Sequence, residues 1–321
     1  MERKTPVPDY REVPAEAFER RGRSSAPTVV APAQPPAKSM RARRRSPRWF
    51  VWMIGCALAV ILLALLACAL VGGLIMGIAI KLASEVTASV TYSQSFAISG
   101  VPSLDIHNAS GHLSVRQGAP GTVSVAITKT ARDSSSDAAQ HDLGKIQVAM
   151  TQSGDTISVT SNFQDTGFLA TSSAVNMQIT VPATTNISAD IKAGDVQIDS
   201  VGGLMALSTS AGNVTMWNTT LADGSHMHVS TGSVTVQGSV PDNASVDISV
   251  STGDVALTLP AETSTRLDAR TNIGEIHVTG WPVQPKRANN VGEMTDDTLG
   301  GQPTGAIRIR VDAGDITISK L

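Results

Sequence analysis

Six segments in the second half of the chain share one pattern: a glycine, a small polar or acidic residue, then apolar residues two and four positions past the glycine. The glycines are Gly194, Gly212, Gly232, Gly253, Gly274 and Gly314, spaced by 18, 20, 21, 21 and 40 residues. The apolar pairs are Val196/Ile198, Val214/Met216, Val234/Val236, Val255/Leu257, Ile276/Val278 and Ile316/Ile318. Several units carry the alternation ahead of the glycine too, at Met227/Val229, Ile248/Val250 and Ile309/Val311. Period-two alternation describes strands with one buried face. A glycine followed by Asp, Asn, Ser or Glu marks the bend between two strands, where a positive φ costs glycine no Cβ clash.

A unit of ~20 residues cannot bury its own apolar face, but stacked units can, each extending the strand ladders of its neighbours. The expected fold class is therefore all-β, a β-solenoid-like stack of ~20-residue repeats. At about 4.8 Å per layer, six or seven layers make a stack roughly 30 Å long. Aromatic residues are only 3% of the chain. That suits rows of small, β-branched side chains repeated from layer to layer.

Residues 101–186 read as a less regular first part of the same body. Leu104, Ile106, Gly111, Leu113 and Val115 repeat the unit pattern, so Gly111 joins the turn glycines. Val123–Ile127 and Met177–Val181 are further strands, and Ile146–Met150 with Ile157–Val159 flank a hairpin turn at Ser153-Gly154-Asp155. The Ser/Asp/Ala stretch between Lys129 and Gln140 reads as a loop. An irregular insertion occupies 280–305, inside the double-length spacing.

At these residues the chain resembles the DUF4097 family of bacterial proteins, also given an adhesin label. The resemblance rests on the Leu104–Val115 opening, the Ile179-Thr180-Val181-Pro182 step, and the repeated Gly-Asp-Val/Ile units that end at Ile307–Ile318. It covers roughly residues 95–320. It implies an extracytoplasmic β-solenoid-like domain, often membrane-anchored, with no established catalytic residues.

Upstream lies a different kind of chain. Trp49–Ile80 is a run of 32 residues without a charge. As a helix it would extend about 48 Å, enough to cross a hydrocarbon core of roughly 30 Å with tilt. Trp49, Phe50 and Trp52 sit at its start, where interfacial aromatics belong. Arg41, Arg43, Arg44, Arg45 and Arg48 precede it, against Lys81 alone just after it, so the N-terminus is expected in the cytoplasm and the body outside. The run is too long, and its lead too long, for a cleaved signal peptide. Ala69, Gly73 and Gly77 form a small-residue stripe that could support a weak homodimer within the membrane.

Residues 1–48 hold twelve Lys/Arg, five Asp/Glu and eight prolines, with few large apolar residues. They are expected to form a disordered cytoplasmic tail. Residues 81–100 are a linker and first strand, and 101–321 the repeat domain. The arginine cluster suits anionic lipid and topology; no interleaved aromatics suggest nucleic-acid binding.

The chemistry sought is mostly missing. Cys56 and Cys68 both lie in the apolar run, which excludes a disulfide framework or a cysteine zinc site in the body. The acids after the glycines could line one edge and attract Ca²⁺, but one acid per ~20 residues is sparse, and turn formation accounts for them. His226 and His228 alternate outward on one strand, with Asp247 a candidate neighbour one layer on, yet no third metal ligand is evident. Trp217 and Trp281 could stack on sugars or plug a solenoid end. No nucleophile elbow or phosphate loop is present. The expectation is a non-enzymatic chain without cofactor or metal, touching lipid through its helix and envelope or surface polymers through its body. The alternative is an envelope-signalling accessory docking through its tail.

Overall fold

The computed structural model describes residues 86–164 and 173–321. The tail, the apolar run and the Ala69/Gly73/Gly77 stripe lie outside the described residues. Among those described, no helix is long and apolar enough to cross a membrane.

Two eleven-stranded sheets face each other across one continuous apolar core. Each glycine-centred unit gives one strand to each sheet. The strand before the glycine joins what we call the leading sheet, and the strand after it the trailing sheet. The first unit is Ser103–Asn108 followed by Leu113–Gln117. Next come Asn186–Ala193 with Val196–Asp199, and Met205–Ala211 with Val214–Leu221. Ser225–Thr231 with Val234–Ser239, and Ser245–Thr252 with Val255–Leu259, complete the middle of the stack. All these neighbours pair in parallel and in register, so that Val214, Val234 and Val255 form one inward row.

The last two units change places. Ala306–Ala313 and Ile316–Lys320, the C-terminal strands, pair directly with the Ser245–Leu259 layer. Thr265–Ile273 and Ile276–Thr279, earlier in the chain, lie beyond them as the outer layer. The insertion at 280–305 makes this exchange possible: it leads from the outer layer back to the slot beneath it. On the way it lays Glu293–Leu299 antiparallel along Thr265–Ile273, with Lys286–Arg287 outside that.

Inward positions hold Val, Ile, Leu and Met, nearly all fully buried, including Leu104, Ile106, Ile198, Met216, Val234 and Ile318. Burying one such side chain contributes about 1.5–3 kcal/mol. The buried aromatics are kept to the ends. Phe96 and Phe163 belong to the flanking strands of the first end. Trp281 follows the outermost trailing strand, with Lys320 over its ring at 5.2 Å. A large ring has no equivalent in the repeating rows, so it fits only where the repeat stops.

The first end is closed by antiparallel strands. Ser173–Val181 runs parallel to Leu113–Gln117, and then Thr122–Asp133 and Val86–Ala97 follow antiparallel. On the leading side, Ile146–Ser153 and Thr156–Phe163 form the hairpin around Gly154. The stretch read as a loop between Lys129 and Gln140 is instead the end of Thr122–Asp133 followed by a helix, α1, at Ser136–Lys145. Ser135 caps it by accepting the Ala138 N–H at 3.2 Å. Ala139 and Leu143, four apart, bury its one apolar stripe. Asp142, also buried, pairs with Lys145 at 3.0 Å. A Ser- and Asp-rich composition masks so short an apolar stripe.

Candidate functional site

The glycines of the repeat form a single corner row. Their spatial order is Gly111, Gly194, Gly212, Gly232, Gly253, Gly314 and Gly274, and all have φ between 127° and 144°. The row is closed to any side chain. A Cβ on Gly232 would lie 2.0 Å from the Gly212 carbonyl oxygen, and one on Gly314 would lie 2.1 Å from that of Gly253. Positive φ and a neighbouring carbonyl therefore demand glycine for two separate reasons.

The residue after each glycine builds a second row. The Asp195 carboxylate accepts the Asn213 N–H at 2.8 Å, and the Asn213 side-chain oxygen accepts the Ser233 N–H at 2.9 Å. Ser233 Oγ does the same for Asp254, Asp254 for Asp315, and Asp315 for Glu275. Each side chain satisfies a backbone donor that the bend leaves out of the sheet ladder. At the outer end Glu293 accepts the Ile276 N–H at 2.8 Å, standing in for the missing next layer. At the first end Asn176 accepts the His112 N–H at 2.9 Å. The row considered for Ca²⁺ is thus committed to backbone hydrogen bonds, and among the described residues no three His, Cys, Asp or Glu converge as a metal site.

His226 and His228 do project outward from one strand. Asp247 lies in register with His226, but its carboxylate binds Arg308 at 3.1 Å, and His228 Nδ1 meets Ser249 Oγ at 2.7 Å. The geometry gathers no ligand set around the two rings. Instead it builds an ion-pair network. In register across the leading sheet run Asp247, Arg308 and Asp268. Arg310 adds a forked contact to Asp268, at 2.6 and 3.0 Å. Arg266 and Asp296 pair at 2.8 Å one strand on, and hydrogen bonding to Arg266 holds the Asp296 carboxyl below its ordinary value. Sequence reasoning missed this network, because it exists only once the C-terminal unit is known to sit between the other two.

The two tryptophans of the body have opposite fates. Trp281 is 8% exposed and closes an end, whereas Trp217 is 39% exposed on the outer face of the trailing sheet. A bulge lies beside Trp217, where the register shifts between Trp217 and Thr219 and Asn218 adopts φ 51°. The sequence carries its signal: the inward positions Val214 and Met216 are even, while Thr219 and Leu221 are odd.

The architecture defines a class: a two-sheet parallel β-solenoid with a glycine corner and antiparallel closures. The sequence profile of the Toastrack DUF4097 family matches residues 73–319, and the chain belongs to that family. No curated protein matches it. Among solved structures, a candidate cell adhesion protein from Clostridium sporogenes aligns at 11% identity and TM-score 0.44, over 72% of this chain and all of its own. A candidate adhesin from Bacteroides fragilis aligns at 16% identity and TM-score 0.33, over 72% of this chain and 97% of its own. A lipid-binding candidate from Parabacteroides distasonis aligns at 12% identity and TM-score 0.26, over 72% of this chain and 96% of its own.

Proposed function

We propose that this protein is an anchored, non-catalytic contact module. The run Trp49–Ile80 holds it in the membrane, residues 1–48 remain cytoplasmic, and the solenoid presents adhesin-like surfaces to envelope or cell-surface polymers. One observation carries this reading. The paired apolar residues of each unit point inward, leaving outer rows of Ser, Thr, Asn, Gln and Asp at fixed strand spacing, such as Gln197, Thr215 and Thr235. A rigid, repetitive polar face suits broad, weak, multivalent contact. The family match begins inside the apolar run, which supports treating anchor and body as one unit. Residues 49–321 carry thirteen Lys/Arg against twenty-two Asp/Glu, an acidic balance unsuited to polyanionic ligands.

The test uses full chain in lipid nanodiscs, clustered on beads or free, against envelope fragments. Clustered protein should be retained much more strongly than free protein, with no turnover of glycan or peptide substrates. In cells, a cysteine at Glu262 in a Cys-less chain should label with an impermeant thiol reagent, and one at Ser25 should not. Reversed labelling would defeat the topology. Failure of clustered protein to bind, with the tail capturing a cytoplasmic regulator, would favour the signalling alternative.

A further inference from the structure

We infer that the outer face of the trailing sheet around Trp217 is a polysaccharide-binding site, taking a chain of neutral or N-acetylated pyranose sugars. The inference rests on the contact-module reading and names its ligand and place.

Four observations converge there. First, Trp217 is the exposed tryptophan of a body whose other tryptophan is buried, in a chain with only 3% aromatics. An exposed large ring amid the polar outward residues of the middle trailing strands is the informative kind of surface residue. Second, the backbone at the ring is special. Among the described residues Ser200 and Asn218 are the non-glycine residues at positive φ, and both adjoin it: Asn218 follows it, and the Ser200 N–H donates to the Trp217 carbonyl at 2.9 Å. Bulges of this kind re-aim a side chain and gather at functional sites.

Third, the flanking row is polar and in register. Arg116, Asp199, Trp217 and Gln237 succeed one another across four parallel strands, roughly 14 Å from first to last. Among the described residues the Arg116 guanidinium makes no hydrogen bond or ion pair, so its donors are free for a ligand. Fourth, two shallow depressions take in residues of this row or next to it, though Trp217 itself lines neither. One is lined by Arg116, Gln178 and Gln197, the other by Asn218, Gln237 and Ser239.

This is the chemistry of a sugar platform. A pyranose with equatorial substituents has a flat C–H face for the indole and a rim of hydroxyls for polar side chains. The amides of Gln178, Gln197, Asn218 and Gln237 both donate and accept, matching hydroxyl and acetamido groups. Asp199 already accepts the Ser200 hydroxyl at 2.9 Å, and its other oxygen can take a sugar hydroxyl. The open, linear row suits a chain crossing the strands better than a single sugar in a pocket.

The experiment presents full chain in nanodiscs, clustered on beads, to surfaces bearing chitin or cellulose oligosaccharides. Wild type should be retained on at least one of them. Trp217→Ala should weaken retention by roughly tenfold or more, and Trp217→Phe by much less. Gln140→Ala, on an exposed position of helix α1, should change nothing. Equal melting temperatures would confirm that the variants fold. No retention of wild type on either saccharide, or equal retention of Trp217→Ala, overturns the site. If wild type and Trp217→Ala hold envelope fragments equally well, the contact-module reading stands and this site falls. If neither holds them, the broader reading falls with it.

Discussion

In the middle of the stack, from Ser103 to Leu259, the glycine units follow one another in space as they do along the chain; at the C-terminal end they do not. The two regions use the same unit, with the same corner glycine and the same side-chain ladder behind it. Hydrogen bonding therefore cannot choose between orders, since any unit can lie on any other. Outward side chains can. Stacked in chain order, Asp247 and Asp268 would be direct neighbours on the leading sheet, with Arg308 outside both. The observed order interleaves them as Asp247, Arg308, Asp268 and gives Arg310 a forked hold on the last. Like charges directly opposite are unfavourable and opposite charges favourable, by about 0.2–1 kcal/mol per pair. The exchange also leaves Thr265–Ile273 outermost, where Glu293–Leu299 can cover its edge antiparallel. An uncovered parallel edge would invite association with other chains.

The corner glycines should separate the two regions most strongly. Gly232→Val puts a branched side chain against the Gly212 backbone with layers on both sides, in a conformation that costs a non-glycine residue about 1–2 kcal/mol before any clash. The total should exceed roughly 4 kcal/mol, and the body should fail to fold at ordinary temperature. Gly274→Val makes the same clash with Gly314, but only the terminal closure lies beyond it. Its effect should be local. Hydrogen exchange should accelerate in 265–299 and stay slow in 186–259. Equal global loss in the two variants would mean that the end is no more separable than the middle.

What the sequence made legible, and what it did not, divides along the same line. The unit was readable because the parts that mark it are local: Gly232 for the bend, the small polar Ser233 after it, Val234 and Val236 for the inward row. The hairpin at Gly154 was readable for the same reason. Layer order was not, because Arg308 and Asp268 are forty residues apart and meet only in the assembled stack. Helix α1 escaped because a ten-residue segment with two buried apolar residues has almost no periodic signal. The site at Trp217 was half visible. The residue stood out, and alternation with Met216 turns it outward, but its polar neighbours come from other layers.

A second measurement sharpens the electrostatic half of the argument. Arg308→Asp sets three carboxylates in a row through Asp247 and Asp268. Because the Arg308 side chain is 52% exposed, screening limits the penalty to about 1 kcal/mol, more than for Arg308→Gln. Raising the salt to about 1 M shortens the screening length to roughly 3 Å and should bring the two variants together. Melting temperatures at low and high salt read this directly. Variants that differ equally at both salts would show that Arg308 acts by packing and not by charge.

The smallest effect expected is the pH response of the closing strand. The Asp296 carboxyl is held below its ordinary value of 3.8, chiefly by its hydrogen bonds from Arg266 and secondly by that residue's charge. A carboxyl whose folded-state value is depressed favours the folded state while ionised. Its contribution is complete above the unfolded-state value and is lost as pH falls through the folded-state value. Glu293–Leu299 should therefore loosen only in acid, below about pH 4, while the middle strands, held by layers on both sides, keep their protection. Both partners face solvent, so the loss should be slight and confined to the end. Carboxyl chemical shifts followed through an acid titration should give Asp296 a midpoint below 3.8, and Arg266→Gln should move it back toward that value. If the midpoint is ordinary in the unaltered protein, the pair is a solvated contact that contributes nothing to closing the stack. The antiparallel pairing and the Glu293 cap would then hold the end by themselves.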